Sequence, residues 1–263
     1  MTSFVTSVDG TRIAYSKSGS GPAVIVVDGA LCHRAFGPAG GVAESLDSDY
    51  TVYTYDRRGR GESGDADTYA PEREVEDIAA LIEATGGVAG LVGFSSGGAL
   101  ALLAAAANIG VAKVVAYEAP YTTQDWHRAA GLKYTADLHQ ALDEGRPDDM
   151  PALFMLLVGM PAEQVAGMRQ SPVWPAFTAI AKTLTYDNAV LGYENGGAVP
   201  TDVCASITVP VLALDGADSP AQLRDPAALI AEASPRGRRQ SLPGQTHAVD
   251  PKAVGPVLAE FFA

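Results

Sequence analysis

The chain has 263 residues, 47% of them apolar, and a formal net charge of −13, from 18 Lys and Arg against 31 Asp and Glu. That length and apolar content suit one sizeable domain with a full core and exclude a disordered chain. The acidic balance suits a solvated surface and disfavours nucleic acid and anionic membranes as general partners.

The start, Met1-Thr2-Ser3-Phe4, carries no basic segment followed by an apolar run, so no signal peptide is expected. Apolar stretches such as Ala99 to Ala107 are too short to span a bilayer. Two cysteines, Cys32 and Cys204, make no disulfide framework, and a reducing, cytoplasmic setting is the expectation. Two alternating stretches, Ser3 to Val8 and Thr11 to Ser16, joined by Asp9-Gly10, predict a hairpin. After the turn Gly19-Ser20-Gly21-Pro22, the run Ala23-Val24-Ile25-Val26-Val27 reads as a buried strand. Further strands are predicted at Tyr50 to Tyr55, Val88 to Val92, Ala112 to Tyr117 and Val209 to Leu214. Helices are predicted at Pro71 to Ala84, which opens on Pro and acidic residues, and at Ser96 to Ala107.

From Tyr121 to about Pro200 the rhythm changes to helical patches, with both tryptophans and no clear strand, which predicts a helical insertion between two strands. Helices at Asp225 to Ala233 and Val254 to Phe262 close the chain. Strands alternating with helices predict an α/β fold whose mainly parallel sheet is covered on both faces. No internal repeat or linker divides the chain, and the composition is compatible with a homo-oligomer.

The sharpest chemical signal is Gly93-Phe94-Ser95-Ser96-Gly97-Gly98, between a buried strand and an alanine-rich helix. A serine on such a turn is held in a strained backbone conformation with its oxygen above the sheet, and the glycines let strand and helix approach closely. The amide of Ser96, at the helix N-terminus, can donate to a developing oxyanion. Of the four histidines, His33, His127, His139 and His247, the last lies in a loop before the final helix, Pro243-Gly244-Gln245-Thr246-His247. That placement can bring an imidazole over the strand ends as the base for Ser95. The imidazole needs a carboxylate to fix its tautomer. Asp218, in the loop after a buried strand, is the favoured candidate; Glu118, at Tyr117-Glu118-Ala119-Pro120, is its rival, and Asp215 reads as a turn cap.

Together these segments resemble the α/β-hydrolase superfamily, from end to end apart from the insertion, and in particular its serine-nucleophile, capped, esterase- and lactonase-like members. Asp28-Gly29 stands where the family usually has His-Gly, and Tyr55-Asp56-Arg57-Arg58-Gly59-Arg60-Gly61-Glu62-Ser63 matches its Asp-x-Arg-Gly-x-Gly-x-Ser loop. Gly93 to Gly97 matches the nucleophile elbow, Gly216-Ala217-Asp218 the acid loop and Thr246-His247 the histidine loop. The resemblance implies an eight-stranded, mostly parallel sheet, built from residues 1–120 and 201–263, with a helical cap at 121–200 inserted after the sixth strand. It also implies an oxyanion hole from the amides of Ser96 and Ala30. The departure at Asp28 matters, because an ionised carboxylate facing an oxyanion is unfavourable. Asp28 is therefore expected to turn away and bind backbone or an arginine of the 57–60 loop.

Other residues receive plainer readings. Arg57-Arg58-Gly59-Arg60 reads as a structural loop, Arg236-Gly237-Arg238-Arg239 as a solvated basic patch and Cys32 as a packed thiol. No cluster has metal-ligand spacing, Gly19-Ser20-Gly21 lacks the ending of a phosphate loop, and no cofactor or metal is expected. The chemistry expected is acyl transfer on an ester, thioester or lactone. Carbon–carbon hydrolysis, perhydrolysis, a non-hydrolytic lyase and a ligand-binding receptor are the alternatives the same fold allows. If Leu153 to Val158 and Trp174 line the pocket, the substrate is small and apolar; they serve equally well to pack the insertion onto the domain.

Overall fold

In the computed structural model, which describes residues 1–263, β-branched runs form strands buried on both faces. Strand β1 is Ser3–Thr6, β2 Arg12–Gly19, β3 Ala23–Val27 and β4 Thr51–Tyr55, with helix α1 at Ala39–Leu46 between the last two. Helix α2 (Pro71–Ala84), β5 (Ala89–Phe94), α3 (Ser96–Ala106) and β6 (Val111–Tyr117) follow. Next come α4 (Asp125–Asp143), α5 (Met150–Leu157), α6 (Ala162–Met168), α7 (Trp174–Ala179), α8 (Leu184–Val190) and α9 (Thr201–Ser206). Strand β7 (Val211–Gly216), α10 (Ala221–Ala233), β8 (Gly237–Leu242) and α11 (Pro251–Phe262) complete the chain.

The eight strands form one sheet in the order β1-β2-β4-β3-β5-β6-β7-β8. The β1–β2 and β2–β4 pairs are antiparallel, and every pair from β4 to β8 is parallel. Side chains alternate between its faces with period two. Val24, Val26, Val92, Val115 and Leu212 pack on one face with α1 and α11; Ile25, Val27, Leu91, Val114 and Ala213 pack on the other with α2, α3 and α10.

Between β6 and β7 the chain forms helices joined by loops and no strand, and its buried Tyr134, Leu138, Met150, Trp174 and Phe177 extend the core of the second face. Trp174 is a packing residue, its ring nitrogen donating to Asp148 Oδ1 at 2.6 Å. Two elements differ from the sequence expectation. Helix α1, in the glycine-rich stretch Ala39-Gly40-Gly41, lacks a strong helix signal and is held by packing on α11. The basic patch at 236–239 lies mostly in β8, whose exposed edge tolerates a polar sequence because only its inner side pairs, with β7.

Candidate active site

Chain topology brings the ends of β3, β5, β6 and β7 to one edge of the sheet, where ligand sites of open α/β sheets lie. Ser95 links β5 to α3 with φ 55° and ψ −128°, a conformation non-glycine residues rarely adopt. The turn closes only because its neighbours lack side chains: a β-carbon on Gly97 would lie 2.2 Å from the carbonyl oxygen of Val27, and one on Gly93 2.1 Å from that of Gly97. Ser95 donates its amide to Tyr117 O at 2.9 Å, which ties the elbow to the end of β6, and its side chain stays partly exposed.

Glu118 directly follows β6, next to the Tyr117 carbonyl that holds the Ser95 amide. It too has a positive φ, 43°, an outlier of the kind that clusters at functional sites. Its carboxylate is fully buried and has two partners: Oε1 accepts from Gly216 N at 2.8 Å, and Oε2 meets His247 Nδ1 at 2.7 Å. Burial alone would raise this carboxyl's pKa, but His247 and the Gly216 amide overcome it and hold the group below its ordinary value. The carboxylate on His247 is therefore Glu118, not Asp218. Asp218 is exposed in the turn after β7 and reaches the histidine loop only through its amide, which donates to Gln245 O at 3.0 Å. Asp215 is buried within β7 rather than capping a turn, paired with Arg239 Nε at 2.8 Å and Ser241 Oγ at 2.7 Å. The His247 ring is 41% exposed, and no hydrogen bond joins it to Ser95 Oγ.

On the opposite side of Ser95 runs the loop after β3. A β-carbon on Gly29 would come within 3.0 Å of Ser95 Cβ and 3.6 Å of Oγ, so the Asp28–Ala30 backbone lies against the serine. The amide of Ala30 makes no backbone hydrogen bond, and that of Ser96 is the first of the four that a helix start leaves free. Beneath both lies an ion cluster that sequence reasoning found only in part. Arg57 binds Glu74 through Nε and Nη2 at 2.6 and 2.7 Å. Asp187, on α8, takes Arg57 Nη1 at 2.6 Å, Arg60 Nη2 at 2.7 Å and the Ser96 hydroxyl at 2.7 Å. Burial works against ionised Asp187, yet Arg60 and Arg57 keep its pKa below the ordinary value.

Asp28 departs from expectation. Its carboxylate is buried and makes no close hydrogen bond to backbone or arginine, though the Ala39 amide faces it; its backbone oxygen is what accepts from Arg57 Nη1, at 3.3 Å. Burial pushes the carboxyl up to about 7, offset only in part by Arg60, the Ala39 amide and Arg57. Cys32 is a largely buried thiol in the same loop, its pKa raised by burial and by Asp28. The other histidines stand apart from the Glu118 pair. His33 accepts from Ala35 N at 3.3 Å, His127 is buried at the start of α4, and His139 lies 3.4 Å from Glu194. No group of His, Cys, Asp and Glu side chains is arranged to hold a metal ion, and no helix is long and apolar enough to cross a membrane.

Compared by sequence with curated proteins, the chain matches none. Among solved structures it is similar to an alpha/beta hydrolase from Sphaerobacter thermophilus DSM 20745, at 44% identity and a TM-score of 0.88, over 99% of this chain and 100% of that one. A thermophilic esterase from Thermogutta terrifontis shares the fold at 20% identity and a TM-score of 0.71, over 100% of this chain and 98% of that one. So does the enol-lactonase from Burkholderia xenovorans LB400, at 18% identity and 0.67, over 99% of each chain. A family model described as the alpha/beta hydrolase family matches residues 23–255. With the nucleophile elbow, the eight-stranded sheet and these matches in agreement, the chain belongs to the alpha/beta hydrolase family.

Proposed function

We propose that the chain is a serine hydrolase acting through an acyl-enzyme on a small, apolar carboxylic ester, thioester or lactone. Ser95 is the nucleophile, His247 the general base and Glu118 the carboxylate that orients it. The observation that carries this reading is the strained Ser95 elbow seated beside the pair made by buried Glu118 and part-exposed His247. Ser95 Oγ attacks the substrate carbonyl carbon while His247 Nε2 takes its proton, a transfer that requires the two atoms to close to hydrogen-bond distance on binding. Unliganded sites commonly leave that distance loose. The oxyanion is received by the amides of Ala30 and Ser96. Collapse of the adduct expels the alcohol or thiol, which leaves with the proton from His247. Water, deprotonated by the same ring, then releases the acid and restores Ser95. Glu118 stays ionised throughout and stabilises the imidazolium.

In this reading residues 121–200 form the cap over the site. Exposure to a fluorophosphonate, followed by intact mass and peptide mapping, tests the assignment. One adduct on Ser95, absent from Ser95→Ala and slowed in His247→Ala, is the expected result. Folded protein that takes no adduct, or keeps one in Ser95→Ala, overturns it.

A further inference from the structure

The Arg57–Arg60–Asp187 cluster touches the backbone on both sides of Ser95. Arg60 Nη1 donates to Gly29 O at 2.6 Å and to Cys32 O at 3.3 Å. The Gly29–Ala30 peptide is trans, so its carbonyl and the Ala30 amide point in opposite directions within one plane. Fixing the carbonyl on Arg60 therefore fixes where the Ala30 amide points. On the other side, the Ser96 hydroxyl donates to Asp187 Oδ1 at 2.7 Å, with Arg57 Nη1 at 3.4 Å from the same hydroxyl. That bond restrains the first residue of α3, and with it the direction of the Ser96 amide.

Asp187 is the member that joins the two halves, since one carboxylate binds Arg60 through Oδ2 and Ser96 through Oδ1. Asp187 is also the only charged member contributed by the segment between β6 and β7, where Thr183 Oγ1 accepts from Arg60 Nε at 3.1 Å; Arg57 and Arg60 follow β4, and Glu74 lies in α2. A carboxylate that merely anchored α8 would need the two arginines alone. The third bond runs to the residue next to the nucleophile, and all of these groups are buried, where charge-assisted hydrogen bonds hold their geometry best.

We propose that Asp187 is a positioning residue for both oxyanion donors, holding the Ser96 amide through the Ser96 hydroxyl and the Ala30 amide through Arg60 and the Gly29 carbonyl. This makes the seating of α8 a condition for stabilising the transition state. The inference rests on the serine-hydrolase reading, and the experiment separates the two. Turnover of p-nitrophenyl acetate is measured for the wild type, Ser95→Ala, Ser96→Ala, Asp187→Asn and the double variant, each below its own melting temperature. Loss of turnover in Ser95→Ala secures the serine reading. The inference then expects kcat to fall about tenfold or more in Ser96→Ala and Asp187→Asn, short of deleting an oxyanion donor outright. KM should stay within about twofold, because the oxyanion contact belongs to the transition state. The double variant should fall less than the product of the two single effects, because both act partly through one bond. If Asp187→Asn does not fold, Ser96→Ala decides alone. A kcat within twofold of wild type in either folded variant overturns the inference and leaves the serine reading standing. Turnover that survives Ser95→Ala overturns both.

Discussion

The two sides of Ser95 are built to different standards of rigidity. The oxyanion side is buried and gripped by Arg57, Arg60 and Asp187, each of which contacts several groups. On the histidine side the loop backbone is tied by Tyr117 Oη, which donates to Thr246 O at 2.6 Å, and by the Asp218 amide, but the His247 ring itself has one hydrogen bond, to Glu118, and is 41% exposed. The proposed chemistry asks for this asymmetry. Oxyanion donors act by not moving, because preorganised dipoles stabilise charge without a reorganisation cost. An imidazole that takes a proton from the serine and delivers it to a leaving group has to shift between two partners. A single pivot with an open ring face allows that.

The largest effect should come from breaking the pivot. In Glu118→Gln the side chain keeps its size but cannot hold an imidazolium, and kcat should fall about 10³- to 10⁴-fold. Steady-state kinetics on an activated ester checks this; a fall of less than tenfold would mean that another carboxylate serves His247.

On the clamped side one group stands outside the pairing. Asp28 is buried without a close hydrogen-bond partner, and burial pushes its carboxyl up to about 7. A carboxyl whose pKa is raised on folding contributes its stability fully below the unfolded value, near 4. It loses that contribution as pH climbs through about 7. Asp28→Asn should therefore gain on the wild type between about pH 4 and pH 8, by at most about 4 kcal/mol. Denaturant melts at the two pH values measure the gain, and parallel curves would show that the folded protein accommodates the charge.

The smallest effect is expected at Asp218, exposed and touching His247 by no side-chain bond. Asp218→Asn should leave kcat within twofold and stability within about 0.5 kcal/mol. A large loss there would move the pivot from β6 to β7.

How far the sequence discloses this architecture depends on whether a signal is local. The apolar run Ala23 to Val27 and the glycines around Ser95 carry their structural reason within a few residues, so sheet, elbow and histidine loop are legible. Helix α1 is not, because its stability comes from α11, more than 200 residues later. The sequence leaves two candidate acids and favours Asp218 for its place in the loop after a buried strand, whereas the contact with His247 is made by Glu118. The feature that marks Glu118 is a lone carboxylate closing the apolar run Val114 to Tyr117. Asp187 carries no such mark: its three partners lie 91 to 130 residues away in sequence.

The backbone of Ser95 has a consequence for how this chain can change. A φ of 55° costs a side-chain-bearing residue about 1–3 kcal/mol, whereas glycine adopts such angles freely. Ser95, the proposed nucleophile, thus occupies a position where glycine would be the more stable choice. A lineage released from selection on catalysis could gain stability by exchanging Ser95 for glycine, so drift at this one codon would run toward a sturdier, inert protein.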